Sequence, residues 1–265
     1  MKVFISADIE GICSTVMWEN ATKGEFGYEE CRRQMTLEVA AACEGAHEAG
    51  ADYIRIKDAH GSGTNLLIDL LPEYVEITRH SCGSPWSMVY GIAEGFDAAM
   101  FVGYHSAAGR EGNPLSHTET KKPFYVKLNG EYCSEFRLFS YAAALAGVPS
   151  VFLSGDEALC RESASIHPNL ITVPVKRGFG GLVTCLQPKA ACSRIREGAK
   201  KAVSQPLDKA RITLPEYFDF EICYKEHEHA AKASFFPGFS RVDDNTVIMH
   251  TDKYYDVMTA AVWVL

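Results

Sequence analysis

The 265-residue sequence lacks several features that would place it in a specialised class of protein. It has no apolar run near the roughly 20 residues that span a bilayer. It also has no basic stripe with interleaved aromatic residues, which is typical of nucleic-acid binding. Its nine cysteines are an odd number and include no C-x-x-C pair, which favours free thiols in a reduced protein. We therefore expect neither a membrane nor a nucleic acid as a partner.

A secretory signal is also missing, because the sequence begins directly with a strand pattern and has no basic segment followed by an apolar one. Together with the free thiols, this predicts a cytoplasmic protein. The remaining composition is that of an ordinary globular protein, with 47% hydrophobic and 23% charged residues. The formal net charge of −8 indicates solubility rather than a particular partner.

Strand and helix patterns alternate along the chain, which predicts an α/β fold. We expect three layers, α/β/α, with a largely parallel sheet and a smaller C-terminal α+β portion. Residues 1–265 are expected to form one unit, with a subdivision near residue 155 (about 1–155 and about 156–265) as the alternative. Strands are predicted at 2–6, 52–57, 76–78, 98–102, 124–128, 150–153, 170–175, 212–222 and 247–250. Helices are predicted at 28–49, 136–146 and 188–203, with a helical stretch at 88–93 and a closing helix or strand at 255–265.

Two carboxylates stand one residue apart where the first predicted strand ends, in Ser6-Ala7-Asp8-Ile9-Glu10-Gly11. Side chains at positions i and i+2 of a strand point to the same side. Asp8 and Glu10 would therefore face one spot, where their like charges need a cation or a shared proton. This pair predicts a metal site at the end of the first strand.

Two further predicted strands end in residues that commonly bind metals. The second strand runs into Asp58 and His60, and the strand at 98–102 runs into His105. A single buried histidine is more often a hydrogen-bonded core residue, and a strand-end aspartate often caps a helix or loop. Because parallel strands present their carboxyl ends at one edge of the sheet, three such ends together favour a metal site.

The chain resembles the zinc-dependent D-aminopeptidases of the DppA type. The first of the matching motifs, S-x-D-x-E-G, is the acidic pair with its neighbours, and the others follow in the family's order with similar spacing over about the first 150 residues. The later part, including residues 233–238, matches more loosely. The further motifs are Asp58-Ala59-His60, Gly103-Tyr104-His105, Ser116-His117 and the helix start at Glu135.

The resemblance implies a centre of two zinc ions, although oxygen and imidazole ligands also suit manganese or cobalt. Asp8 would be shared by both ions. The first ion would add Glu10 and His105, and the second would add His60 and Glu135. Three protein ligands on each ion would leave an open position for a shared water, as catalytic sites require.

The implied activity is hydrolysis of short peptides or amides that carry an N-terminal D-residue, by a water activated between the two metals. His117 would be the catalytic histidine, acting as a general acid/base or nucleophile, or it would only bind the substrate. The implied partners are a short peptide substrate and further copies of the chain in a decameric ring.

Two other functions stay open at the level of the sequence. The first is another two-metal hydrolase such as a phosphoesterase, for which Lys57, Arg110, Lys121 and Lys122 could hold phosphate. The second is a non-catalytic protein that binds a ligand through its metals.

Three further signals carry less weight. The tract 226–229, Glu-His-Glu-His, is expected to begin a solvated helix rather than to bind metal. The run 178–181 is expected to be a flexible turn near the site, or simply a loop. Asp58 is expected either to orient His60 or a loop amide, or to cap a loop.

Overall fold

A computed structural model describes residues 1–167 and 169–265. It contains a seven-stranded sheet, a five-stranded sheet and seven α-helices within these residues. The strands are β1 (Lys2–Ala7), β2 (Tyr53–Asp58), β3 (Val75–Thr78), β4 (Ala98–Tyr104), β5 (Pro123–Leu128), β6 (Glu131–Tyr132), β7 (Ser150–Asp156), β8 (Ile171–Phe179), β9 (Leu182–Cys185), β10 (Phe218–Tyr224), β11 (Phe239–Arg241) and β12 (Thr246–Thr251). The helices are α1 (Trp18–Ala21), α2 (Tyr28–Glu48), α3 (Glu135–Leu145), α4 (Glu157–Ile166), α5 (Pro188–Ser204), α6 (His227–Ala233) and α7 (Tyr254–Val264).

The larger sheet has the strand order β3-β2-β1-β4-β7-β8-β9. Every neighbouring pair is parallel except β8 with β9, which form an antiparallel edge. This confirms the α/β fold and the largely parallel sheet. The chain leaves β1 for β2 on one side and later returns to β4 on the other, so the carboxyl end of β1 lies at a switch point of the topology.

Alternate residues of β1 pack against different layers, as the two-residue period of a strand requires. Val3 and Ile5 are buried against one face of the sheet together with apolar residues of α2 and α5. Phe4 is buried on the opposite face, in a cluster that includes residues of α3, α7 and the second sheet. Each fully buried side chain of this size stabilises the fold by about 1.5–3 kcal/mol.

The second sheet is antiparallel, with the order β11-β12-β10-β5-β6. The turn between β5 and β6 is formed by Asn129 and Gly130, with φ of 54° and 81°. The alternative division of the chain near residue 155 does not coincide with the division into two sheets. β5 and β6 precede that position but belong to the second sheet, whereas β8 and β9 follow it but belong to the larger one.

Local prediction was wrong in three places. The strand expected at 212–222 begins only at Phe218, because Pro215 has no backbone N–H to contribute to a sheet. The helical stretch at 88–93 is two 3₁₀ turns, separated where Gly91 adopts a φ of 98°. The segment at 178–181 is partly strand, and the residues between β8 and β9 form the turn of a hairpin.

The closing segment is helical, which settles the alternative left open for residues 255–265. Within the described residues, we find no helix with the length and apolarity that a bilayer crossing demands.

Candidate metal centre

The ends of three adjacent strands bring the predicted donors together. Asp8 and Glu10 follow β1, His60 follows β2, and His105 directly follows β4. Glu135 is the first residue of α3, whose start is fixed by Ser134: its hydroxyl accepts a hydrogen bond from the Arg137 amide. All five predicted metal ligands are buried or nearly so at this one place.

Two sets of donor atoms meet at Asp8. His60 Nδ1 lies 3.3 Å from Asp8 Oδ1 and 3.1 Å from Glu10 Oε2. His105 Nε2 lies 3.4 Å from Asp8 Oδ2 and 3.3 Å from Glu135 Oε2. Ligand atoms that surround a zinc ion tetrahedrally at about 2.0 Å are themselves roughly 3.3 Å apart, so each imidazole nitrogen lies at such a spacing from two carboxylate oxygens.

These contacts place Asp8 between the two histidines, with one carboxylate oxygen against each. They group Glu10 with His60 and Glu135 with His105, whereas the resemblance implies Glu10 with His105. The donor atoms of Asp8, Glu10 and His105 also lie within 4.8 Å of one another.

The polarity of the site fits a metal, because several buried donors have no hydrogen-bond partner among the described residues. These atoms are Asp8 Oδ2, Glu10 Oε2 and His105 Nε2. A buried carboxylate or imidazole without a partner is costly unless a proton or a cation compensates it. The donor set therefore has the chemistry of a site for divalent cations.

In His60 and His105, one ring nitrogen lies against a backbone carbonyl, and this contact determines which nitrogen faces the carboxylates. His60 Nε2 lies 2.7 Å from the carbonyl oxygen of Ala21, and His105 Nδ1 lies 3.0 Å from that of Ser106. A nitrogen that faces a carbonyl carries the proton, so the other nitrogen is free to bind a metal. In both rings the free nitrogen is the one that points towards the carboxylates.

The carboxylates and imidazoles also shift one another's pKa. Burial, together with the charge of Glu10, raises the pKa of Asp8 to about 7. Burial opposes the charge on His105, but Glu135 and Asp8 outweigh it and raise the pKa of His105 to about 10. Without a metal the site therefore holds protons at neutral pH, and a bound cation would displace them.

His117 lies in the long loop between β4 and β5. It lines a cavity that Asp8, Glu10 and Glu135 also line. Its ring stacks on that of His105, with centroids 4.3 Å apart and planes inclined by 7°, and Trp18 packs edge-on at 5.1 Å. Its Nδ1 faces the Leu115 carbonyl at 2.9 Å, and its Nε2 lies 3.4 Å from Glu135 Oε1. Burial and the neighbouring His105 lower the pKa of His117, which keeps the ring neutral and able to accept a proton.

Asp58 orders the loop that carries His60 and does not contact the imidazole. Its carboxylate accepts hydrogen bonds from the amides of Asn65 and Leu66 at 2.6 and 2.8 Å. The side chain of Asn65 joins Asp58 Oδ1 to the backbone carbonyl of His60. Of the two expected roles, capping through loop amides is the one that the structure shows.

The sequence did not predict the groups that donate hydrogen bonds to the backbone carbonyl of Glu10. Lys176, on β8, donates from its buried ammonium to the carbonyl oxygens of Glu10 and Thr15. Asn113 donates to the same Glu10 carbonyl at 2.9 Å. Burial lowers the pKa of Lys176 to about 8. A lysine directly after the apolar strand predicted at 170–175 was the one local signal for such a role.

Steric contact explains why the last residue of the first motif, Gly11, is a glycine. A Cβ on Gly11 would lie 1.8 Å from the carbonyl oxygen of Tyr104, and one on Gly103 would lie 2.2 Å from that of Asp8. Gly103 also has a φ of 78°. The backbones after β1 and within β4 can therefore touch only where both residues lack a side chain.

Four of the donors, Asp8, Glu10, His60 and Glu135, line a cavity of about 740 Å³, whereas His105 is fully buried. Of the basic residues considered for phosphate, Lys57 and Lys121 line this cavity, while Arg110 lines another. The Lys57 ammonium already donates to two backbone carbonyls, and that of Lys122 donates to the carbonyl of Leu265. The cations that a phosphoesterase would need are thus mostly engaged elsewhere.

The second acidic and histidine-rich tract lies on the surface. Glu226, Glu228 and His229 present donor atoms within 4.8 Å of one another, but both glutamates are exposed. The segment begins α6, as the sequence predicts.

The chain is similar to known D-aminopeptidases in sequence and in fold. A curated D-aminopeptidase of Bacillus subtilis (strain 168) is 28% identical over 255 residues, which cover 96% of this chain and 92% of that protein. A solved structure, described as the Zn-dependent D-aminopeptidase DppA from Bacillus subtilis, a self-compartmentalizing protease, is 25% identical. It superposes with a TM-score of 0.93 over 100% of this chain and 96% of its own. The model of the D-aminopeptidase family, Peptidase M55, matches residues 1–262, and the chain belongs to that family.

Proposed function

We propose that the protein is a zinc aminopeptidase that releases the N-terminal D-residue of short peptides or amides, using two metal ions. The observation that carries this proposal is Asp8, whose two carboxylate oxygens each lie against a different histidine in a buried cluster of unpartnered donors. The Zn-dependent relative of the same fold supports zinc as the metal. Its description, with that of the curated relative, supports D-residues at the cleaved end.

The mutual distances of Asp8, Glu10 and His105 fit the assignment that the resemblance implies, whereas the imidazole–carboxylate contacts support a second assignment. Asp8, Glu10 and His60 would hold the first ion, and Asp8, His105 and Glu135 would hold the second. Each ion would keep an open position, as a catalytic zinc requires. When bound, such ions lower the pKa of a water molecule and polarise the substrate carbonyl.

His117 is the residue of this chain that we assign to proton transfer. Its Nδ1 proton is directed to the Leu115 carbonyl, so Nε2 is the nitrogen that can accept a proton within the cavity. The lowered pKa of His117 favours the neutral base before the reaction. After accepting a proton, Nε2 would donate it to the departing amine, which must leave as a neutral amine or ammonium.

We also propose that copies of the chain assemble into a closed homo-oligomer, with the decameric ring that the resemblance implies. The self-compartmentalizing relative supports such an enclosure. An enclosed site would admit short or unfolded peptides and exclude folded proteins.

A substrate panel tests the proposed function. Zinc-loaded protein should hydrolyse D-Ala-D-Ala and D-alanyl-p-nitroanilide, and it should hydrolyse the L-isomers more slowly. It should leave p-nitrophenyl phosphate intact. Phosphate release without peptide cleavage would favour a phosphoesterase, and no turnover of any substrate would favour a metal-dependent binding protein.

A further inference from the structure

Glu119 is an acidic residue of the cavity to which the proposed metal binding and proton transfer assign no role. It lies two residues after His117, and its side chain lines the same cavity as Asp8 and Glu135. Its Oε1 is buried and has no hydrogen-bond partner among the described residues. Nor does its carboxylate form an ion pair with any of these residues.

The backbone around Glu119 is held in a conformation that a glutamate rarely adopts. Its φ is 61°, in the left-handed region that favours glycine. The Thr120 amide donates to the Thr118 carbonyl across it at 2.7 Å, and the Thr118 hydroxyl donates to the Cys133 carbonyl at 2.9 Å. Such strained residues cluster at functional sites, where the surrounding structure compensates for the strain.

The turn also ties Glu119 to the metal centre. Its amide donates to Glu135 Oε1 at 2.7 Å, the oxygen that lies 3.4 Å from His117 Nε2. The side chain is therefore placed beside the proposed site of cleavage by a turn that is anchored on a proposed metal ligand.

The charges at the centre leave Glu119 without a counterion. Asp8, Glu10 and Glu135 carry −3 together, and a hydroxide would bring the total to −4, which two divalent cations neutralise. Burial and the charges of Glu135 and Asp8 raise the pKa of the Glu119 carboxyl to about 8 when no metal is bound. Once ionised, the carboxylate adds a negative charge that this balance does not compensate. A buried carboxylate in that position attracts a cation, and the substrate of an aminopeptidase brings one in its free α-ammonium group.

We infer that Glu119 is a specificity-determining residue that binds the α-ammonium group of the substrate and so restricts cleavage to the N-terminal residue. This inference rests on the proposed function. An ammonium held at the carboxylate by charge-assisted hydrogen bonds would place the first peptide carbonyl at a fixed distance from it. Substrates or inhibitors that lack the amine would lose this interaction.

The test compares two metal-chelating inhibitors that differ only in the amine, D-alanine hydroxamate and propionohydroxamate. Their binding to the zinc-loaded protein is measured by calorimetry, which does not depend on turnover. We expect the wild type to bind the amine-bearing compound at least about tenfold more tightly, and Glu119→Gln to reduce that preference to less than about threefold. Glu111→Gln, an exposed glutamate in the same loop, is the matched control and should keep the preference.

Kinetics give a second readout. Glu119→Gln should raise the KM for D-alanyl-p-nitroanilide by tenfold or more with a smaller change in kcat, at unchanged zinc content. Should Glu119→Gln fail to fold, Glu119→Asn removes the charge with a residue that tolerates a positive φ.

The outcomes separate the inference from the function on which it rests. A wild type that cleaves the anilide but shows no preference for the amine, or a variant that keeps the preference, would overturn the role of Glu119 alone. A zinc-loaded wild type that does not cleave the anilide would overturn the proposed function itself.

Discussion

At the scale of single residues, the proposed metal ligands are held in place by hydrogen bonds to groups outside the centre. His60 and His105 each use one ring nitrogen to bind a backbone carbonyl, which leaves the other facing the carboxylates. The carbonyl of Glu10 is held by Lys176 and Asn113. The contacts to the histidines limit the rotation of their rings, and those to Glu10 fix its backbone, so the donor atoms are already close before any ion binds.

His117 is the residue whose removal should separate chemistry from metal binding. His117→Ala should retain the zinc content of the wild type, because the proposed ligands are unchanged, but it should lose proton transfer. We expect kcat for D-alanyl-p-nitroanilide to fall by more than tenfold, or about 1.4 kcal/mol of barrier. His227→Ala, at an exposed position, is the control. Activity of His117→Ala within tenfold of the wild type would remove His117 from the reaction.

His167, away from the centre, should make the fold sensitive to acid. Burial and the charge of Arg137 lower its pKa to about 4 in the folded protein, against about 6.5 in an unfolded chain. Between these values the unfolded state binds more protons, so the stability that neutral His167 contributes is present above pH 6.5 and is lost as the pH falls towards 4. At pH 5 the loss amounts to about 2 kcal/mol.

Urea unfolding of the metal-free protein at pH 7 and pH 5 measures this effect. His167→Gln should be less stable than the wild type at pH 7, and the difference should shrink by about 2 kcal/mol at pH 5 because the variant has no proton to bind. A difference that is the same at both pH values would show that His167 titrates alike in both states.

At the scale of elements, the site depends on close contact between the end of β1 and β4. The Gly11 amide donates to the Gly103 carbonyl at 2.7 Å, and the Asp8 amide donates to that of Val102 at 2.9 Å. These bonds carry the acidic pair over the carboxyl end of β4, next to His105. A side chain at Gly11 would force the two segments apart.

Gly11→Ala should therefore weaken both the fold and metal binding. We expect a loss of about 1–3 kcal/mol in the free energy of unfolding, as for other overpacked sites, and a lower zinc affinity. Gly181→Ala is the matched control, since a Cβ there would meet no atom within 4 Å. Wild-type stability and zinc affinity in Gly11→Ala would show that the contact does not position Asp8 and Glu10.

The sequence predicted the parts of the site that depend on local pattern. Asp8, Glu10, His60 and His105 directly follow recognisable strands, and the ends of neighbouring parallel strands must meet. Glu135 and His117 rested on the resemblance, because a loop of 18 residues separates β4 from β5 and no pattern specifies where it returns.

The groups that were missed act only through the tertiary fold. Asn113 and Lys176 lie more than 100 residues from the Glu10 carbonyl that they hold. The inferred role of Glu119 depends on a strained turn and on the lack of a counterion, and neither can be recognised from the order of the residues. For the same reason the pairing of β5 with β10 could not be read from local periodicity.

At the scale of the whole molecule, two sheets and their helices enclose a cavity at the switch point of the larger sheet. The two core clusters hold β1 from both faces, which leaves its carboxyl end as the part of the strand that can bear polar groups. This member of the D-aminopeptidase family therefore builds its centre at the end of a strand that is buried on both faces. Central to the proposed function is that two ions sharing Asp8 support the hydrolysis of D-aminoacyl substrates.

Titration of the metal-free protein with zinc tests that claim most directly. Bound zinc and the rate of D-alanyl-p-nitroanilide hydrolysis are measured on the same samples. We predict that activity reaches its maximum when two zinc ions are bound per chain. Full activity with a single ion, or no hydrolysis of the D-substrate with two ions bound, would contradict the account.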